Sequence, residues 1–373
     1  MRIGFDAKRA FSNFTGLGNY SRDTIRLLQK FYPNNQYFLF SPTKSQNSRT
    51  NFINGLTNVK TIIPNNFFNK IFSSYWRAKN VVSDIKKNKI DLFHGLSHEL
   101  PIGIEKINIK KIVTIHDLIY LRYPNLFSKV DRIIYDKKFR SSCERADKII
   151  AVSQQTKKDI IEYFKIEKGK IEVVYQGCNN IFKIKKSDNE ILAIKNKFKL
   201  FEKYLLYVGS IEKRKNLLTL LKSLKDLPHK NLIIIGDGSL YKKECLDFIN
   251  KNKLNNRVKI LSGLNLFEMS CVYQSAEMMI YPSIFEGFGI PILEALNSKI
   301  PVITTEGGCF KEAGGESSIY VNPLSSDEIS KAVINIEENS ELKNKIIING
   351  YQYAQKFNDE IIAKNLINVY NSI

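Results

Sequence analysis

The sequence lacks paired cysteines. Its five (Cys143, Cys178, Cys245, Cys271 and Cys309) stand singly among 373 residues, with no CxxC. That pattern argues against a zinc ribbon or a dithiol redox motif and for reduced thiols in a cytosolic chain. No apolar run is long enough to span a bilayer. The start, Met1-Arg2-Ile3-Gly4-Phe5-Asp6, enters a strand and then Lys8-Arg9 without the apolar core of a signal peptide, so the expected location is the cytoplasm. Low-complexity stretches and repeats of solenoid length are missing, as is a DxD-like acidic motif in a context suited to a metal; no metal or cofactor is expected. Acid is the scarce charge: 37 Asp and Glu against 57 Lys and Arg give a net +20. Such an excess fits Lys-rich solvated faces, or attraction to a membrane, a nucleic acid or a phosphorylated substrate, and charge alone does not choose.

What is present is a globular composition, 43% hydrophobic and 25% charged, in a chain long enough for two cores. Short apolar runs recur at Tyr37–Phe40, Ile112–Ile115, Ile149–Val152, Val173–Tyr175, Leu205–Val208, Leu232–Ile235, Val258–Leu261, Met278–Tyr281 and Pro301–Thr304. Helical patterns lie between most of them, such as Leu217–Leu224 and Leu266–Ala276. Strands apolar on both faces, joined by helices, predict parallel sheets of the doubly wound α/β class. A polar, Lys-rich stretch over 179–203 marks the boundary. It divides the chain into an N-terminal Rossmann-like domain over 1–185, a second over 186–355, and a C-terminal helix over 356–373 that can pack on either.

The most informative segment reads Tyr281-Pro-Ser-Ile-Phe-Glu-Gly-Phe-Gly-Ile-Pro-Ile-Leu-Glu294. A strand ends at Pro282, a loop carries Gly287 and Gly289, and a helix starts near Ile290 with Pro291 in its first turn, where proline is tolerated. Both glycines are expected to allow unusual dihedrals and close backbone approach. The free N–H groups of the helix start suit a phosphate. Glu286 and Glu294 flank it; ionised carboxylates repel phosphate but accept hydrogen bonds from sugar hydroxyls. A diphosphate between polyol groups describes a nucleotide sugar.

Glu286-Gly-Phe-Gly-Ile-Pro-Ile-Leu-Glu294 resembles the E-x7-E motif of retaining GT-B glycosyltransferases, especially glycosyltransferase family 4, and the likeness runs along nearly the whole chain. The resemblance implies two Rossmann-like domains facing each other across a cleft, the first binding the acceptor and the second the nucleotide sugar. It implies that Glu286 contacts the transferred sugar, that Glu294 contacts the donor ribose, and that the backbone of Phe288, Gly289 and Ile290 faces sugar and phosphates.

Three further segments fit. Gly209 ends a strand, and the following Lys213-Arg-Lys215 opens a helix; surface basicity is the plain alternative, but the resemblance implies that Arg214 and Lys215 bind the leaving diphosphate. Where many members carry Arg after the glycine, this chain has Ser210. Thr15-Gly-Leu-Gly-Asn-Tyr20 is similar to the family's glycine loop, giving Gly16 and Gly18 to the donor phosphates; alone, such a GxG is a tight turn. His116 and Asp117 follow the Ile112–Ile115 strand, and the resemblance implies that His116 contacts the transferred sugar rather than filling the core. Asp6 fits the family pattern or a loop hydrogen bond alike. His94 and His98 follow the Asp91–Phe93 strand and are expected near an acceptor, Gly236-Asp-Gly238 is expected to line the base pocket in place of an NAD site, and Glu312 resembles an acidic position of the family near the donor.

The expected activity is retaining transfer of a hexose from a nucleotide-diphosphate sugar to a saccharide acceptor carried on a lipid. The likeness to bacterial O-antigen and capsule mannosyltransferases favours GDP-mannose. Aromatic and cationic residues interleave at Phe67–Lys89 and Arg122–Arg140, which suits peripheral contact with an anionic membrane or an ordinary amphipathic helix. The rival readings are a sugar-nucleotide epimerase or phosphorylase on the same fold, a basic nucleic-acid-binding protein, which no recognition module supports, and a non-catalytic glycan-binding relative. Oligomeric state is not legible.

Overall fold

The computed structural model describes residues 1–44 and 49–373. Contacts divide the chain into two units, one of residues 1–176 with 359–373, the other of residues 177–358.

The first unit holds a seven-stranded parallel sheet: β1 (Arg2–Asp6), β2 (Gln36–Phe40), β3 (Val59–Ile62), β4 (Leu92–Gly95), β5 (Lys110–Ile115), β6 (Lys148–Ala151) and β7 (Ile171–Val173), in the order β3-β2-β1-β4-β5-β6-β7. Register is set by side chains such as Phe5 and Phe93, buried because helices cover both faces. One covering layer gathers Phe5, Leu28, Tyr37 and Leu366; the other gathers Phe38, Trp76, Phe93 and Phe164. The apolar run at Val173–Tyr175 pairs only as far as Val173.

The second unit holds six parallel strands: β8 (Leu205–Val208), β9 (Leu232–Ile235), β10 (Val258–Leu261), β11 (Met278–Tyr281), β12 (Val302–Thr305) and β13 (Ile319–Val321), in the order β10-β9-β8-β11-β12-β13. In each sheet the strand order reverses beside its first strand, between β1 and β4 and between β8 and β11. Ligands of doubly wound sheets bind beyond the carboxyl ends of the strands at that point. Asp6 lies at the end of β1, and Gly209 and Pro282 directly follow β8 and β11.

The helix Asp359–Asn371 packs with the first unit against the helix Gly16–Phe31. Leu366 and Tyr370 enter that unit's core, and Arg26 meets Asp359 at 2.8 Å. The second unit begins at Gly177 rather than at 186. Cys178 and Phe182 explain the difference: the thiol lies 3.9 Å from the Leu293 carbonyl, and the Phe182 ring sits edge-on to Tyr273 at 5.1 Å. The Lys-rich stretch that marked the boundary is instead largely the helix Asp188–Phe198, opened by a Ser187–Glu190 capping box.

Candidate active site

The chain leaves β11 at Tyr281 and turns through Ser283 to Glu286 before the helix Ile290–Asn297. Gly289 caps this helix with φ +115°, in the left-handed region, where only glycine sits without strain. A Cβ there would also press on Ile292 at 3.2 Å. Gly287 has no such dihedral, so the expectation of unusual backbone at both glycines holds for one. Pro291 occupies the first turn. The Phe288 side chain packs inward on Phe357 at 5.7 Å, which leaves its backbone as the part able to meet a ligand.

Glu286 is the hub. One of its oxygens, Oε1, lies 2.7 Å from Arg214 Nη1 and 2.6 Å from Lys215 Nζ. The Ser283 hydroxyl donates to the same oxygen at 2.5 Å. Burial pushes this carboxyl up, but Lys215 and then Arg214 outweigh it and hold the group down at about 2. Burial works against the Arg214 charge too, and the Glu286 carboxylate overrides it, so the guanidinium is held more firmly cationic than usual. Arg214 also donates to the Phe285 carbonyl at 2.6 Å and to Glu212 at 2.6 Å. Lys215 donates to the Tyr281 hydroxyl at 2.8 Å.

Local sequence makes this convergence. Lys213–Lys215 form a 3-10 turn rather than the expected helix start, and Asn216 follows in the left-handed region with φ +58°. Its amide donates to the Pro282 and Pro323 carbonyls at 3.2 and 2.5 Å. The loop after β8 is thereby clamped to the loop after β11. Gly236 and Gly238 serve the same packing: a Cβ would meet the Gly209 carbonyl oxygen at 2.0 Å or that of Ile211 at 2.2 Å. Gly209 itself has φ +151° beside the Lys215 stem.

Glu294 is buried one turn into its helix and accepts from the Tyr273 hydroxyl at 2.7 Å. Burial and that carboxylate drive the Tyr273 phenol well above its ordinary range, so it stays a donor.

In the first unit, His116 is buried, with Nε2 2.9 Å from the Leu96 carbonyl. A carbonyl only accepts, so Nε2 carries the proton and Nδ1 the lone pair. Burial, then the neighbouring His98, hold it near 3 and therefore neutral. His94 is fully buried with both nitrogens committed, to Tyr370 at 2.6 Å and Thr114 at 2.7 Å; it is a framework residue and not an acceptor contact. Asp6 takes a bidentate grip from Arg77, with Nη2 at 2.6 Å and Nε at 2.9 Å from Oδ2. Gly18 is required by packing, since a Cβ would sit 1.9 Å from the Asn13 carbonyl oxygen, whereas Gly16 has nothing within 4 Å of that position. Glu312 is half-buried in the helix Phe310–Gly314.

Two family models match this chain: Glycosyltransferase Family 4 over residues 14–180 and Glycosyl transferases group 1 over residues 188–353. The chain belongs to the family-4 GT-B glycosyltransferases. The glycosyltransferase is 26% identical over 286 residues to the O-antigen chain mannosyltransferase B of Escherichia coli, covering 75% of this chain and 74% of the relative. It is 28% identical over 266 residues to the O-antigen chain mannosyltransferase RfbU of Salmonella typhimurium, covering 71% and 69%. The crystal structure of Anabaena Alr3699/HepE in complex with UDP and glucose shares the fold at a TM-score of 0.77 and 18% identity, over 100% of both chains.

Sequence reasoning on this glycosyltransferase missed Arg77, Tyr273, Ser283 and Asn216. Ser283 lies within the informative segment, three residues before Glu286, the spacing at which a hydroxyl can reach back to a loop carboxylate. Arg77 and Tyr273 are distant in sequence from their partners, and no local pattern points to them.

Proposed function

We propose that this glycosyltransferase moves a hexose, mannose in the favoured case, from a nucleotide-diphosphate sugar to a saccharide acceptor with retention at the anomeric carbon. The observation that carries the reading is the meeting of Arg214, Lys215 and Glu286 beside the Gly289-capped helix start. The two cations answer buried Glu286 on one side and the more exposed Glu212 on the other, and a helix N-terminus adds oriented N–H groups. A diphosphate fits the cations and N–H groups; a sugar hydroxyl donates to the free lone pairs of Glu286. Glu294 with Tyr273 supplies a rigid acceptor for ribose hydroxyls.

In the transfer, the bond from the anomeric carbon to the diphosphate oxygen breaks and one to the acceptor oxygen forms. The acceptor proton passes to the departing diphosphate. The protein acts by positioning and by stabilising the developing negative charge; Arg214, Lys215 and the helix start do this with preset charges. His116, being neutral, offers Nδ1 to a saccharide hydroxyl and adds no charge.

The mannose preference and a place in O-antigen synthesis are supported by the names of the E. coli and Salmonella relatives, and capsule synthesis by that of the Staphylococcus aureus relative CapM; a lipid-carried acceptor met on the cytoplasmic face is part of the same proposal. Screening GDP- and UDP-sugars for thermal stabilisation, then for transfer, tests the reading. Stabilisation by GDP-mannose with α-linked product supports it. An inverted product, or turnover of donor to an epimer without acceptor, sinks it.

A further inference from the structure

Three histidines of the first unit are buried, and they differ in how far their ring nitrogens are satisfied. His94 bonds through both nitrogens and His116 through one. His98 bonds through neither among the described residues, and its Nδ1 is buried without a partner. The residue is only 7% exposed. A polar atom left in this state costs stability, and native folds carry few of them.

The backbone at His98 is strained as well. Its φ is +66°, in the left-handed region, which glycine or asparagine occupies more readily. Three contacts hold it there. The His98 N–H donates to the Thr114 carbonyl of β5 at 2.9 Å. Gly95, at the end of β4, lets the turn fold back, since a Cβ would meet the Glu99 carbonyl oxygen at 2.1 Å. The His98 ring lies flat on Phe139, with centroids 4.3 Å apart and planes 9° apart. Strain and an orphaned nitrogen, fixed together from three sides, mark a side chain kept for a ligand rather than for the core.

The same turn serves His116. The Leu96 carbonyl that holds its Nε2–H lies two residues before His98, and the two rings stand 5.1 Å apart at 61°. Burial, then the nearby Arg9, hold His98 near 3 and therefore neutral, so it carries one ring proton. On Nδ1 that proton would be a buried donor with no acceptor; on Nε2 it stays usable. His98 thus offers a donor, Nε2–H, and His116 an acceptor, Nδ1. A phosphate suits only the first, because a lone pair repels it. A hydroxyl suits both, since its oxygen accepts and its proton is donated.

We infer that one saccharide hydroxyl bridges the two rings, accepting from His98 Nε2–H and donating to His116 Nδ1. The inference rests on the reading that this chain binds sugars. The hydroxyl belongs to the transferred sugar or to the acceptor, and kinetics separate the two. In the full-length chain His98→Asn suits the left-handed backbone and should hold the urea midpoint, since relief of strain offsets the lost stacking on Phe139. One KM should rise about tenfold, the loss of one hydrogen bond at the upper end of its usual worth. A raised acceptor KM with unchanged donor hydrolysis assigns the hydroxyl to the acceptor; a raised donor KM assigns it to the transferred sugar. A purely structural His98 would move neither while the fold holds.

The chain has four histidines, few enough to follow singly by NMR of the parent labelled in its imidazole nitrogens. Titrated with methyl α-mannoside, the His98 and His116 signals should move together while those of His94 stay. The His98→Asn variant identifies the His98 signals by their loss. Parent-like KM values in a folded His98→Asn overturn the inference, and so does a His98 signal that stays put while the mannoside moves that of His116. A parent that turns over no nucleotide sugar sinks the functional reading instead, and the mannoside titration then still decides this one.

Discussion

Lys215 Nζ lies 2.6 Å from Glu286 Oε1, and the same oxygen takes Arg214 at 2.7 Å. A carboxylate shared by two cations in a largely buried place is held ionised and held still. It cannot act as an acid at neutral pH, since Lys215 and Arg214 keep it near 2. On the proposed reading it accepts hydrogen bonds and fixes the two cations for a more highly charged guest.

Glu286→Gln should therefore cost activity rather than donor binding. The amide keeps the shape but removes a negative charge that faces the diphosphate. Transfer should fall about a hundredfold or more, in the range seen on removing one preorganised electrostatic group, while nucleoside diphosphate affinity stays within a few-fold or rises. Isothermal titration beside a transfer assay reads both. A variant that is folded by circular dichroism and fully active removes Glu286 from the mechanism.

Lys215→Met should weaken nucleoside diphosphate binding about ten- to a hundredfold, because a charge-assisted contact of roughly 1.5–3 kcal/mol is lost. Lys215→Arg should recover part of it. Because the methionine variant has one fewer cation at the site, its affinity should also depend less on salt. Unchanged affinity across all three proteins would move the diphosphate elsewhere.

Acid should open the first unit before the second. His94, His98 and His116 are each held near 3 by burial, against about 6.5 when unfolded. Below pH 6.5 the unfolded chain takes protons that the folded chain refuses, so stability falls as pH falls, by about 1.4 kcal/mol per pH unit for each imidazole, and stops falling near pH 3. Glu286 acts later: its depressed value contributes stability that is complete above about 4.5 and is lost as pH falls towards 2, worth about 3 kcal/mol. Urea midpoints followed from pH 7 to pH 4, with separate probes for the two units, should show the first unit declining from pH 6. A flat profile down to pH 5 would contradict the burial of these rings.

The two glycines of the Thr15–Tyr20 loop should separate. Gly18→Ala drives a methyl into the Asn13 carbonyl and should lower the melting temperature by several degrees. Gly16→Ala has open space and lies at a helix start, so stability should hold or rise by up to about 1 kcal/mol. If the loop approaches a ligand, the same alanine should lower kcat/KM. Identical melting temperatures for both variants would show that the loop does not need glycine at 18.

Much of this was legible before any coordinates. Runs such as Leu205–Val208 and Met278–Tyr281 are strands over those residues, because a strand covered on both faces must be apolar throughout. Ile290 begins its helix as the glycine and proline before and after it require. The segment from Glu286 to Glu294 named both carboxylates because glycine, proline and acid carry their chemistry locally, within one loop and one turn. Pairings across the fold were not legible: Asp6 with Arg77, Glu294 with Tyr273, and Tyr370 with His94 join residues far apart in sequence. Nor did composition say that Lys215 and Arg214 close on Glu286 rather than standing in solvent. Local sequence fixes dihedrals and periodicity, because these depend on neighbours a few bonds away; which distant side chain satisfies a buried charge depends on where the strand order reverses and the helices pack, and only the folded chain decides that.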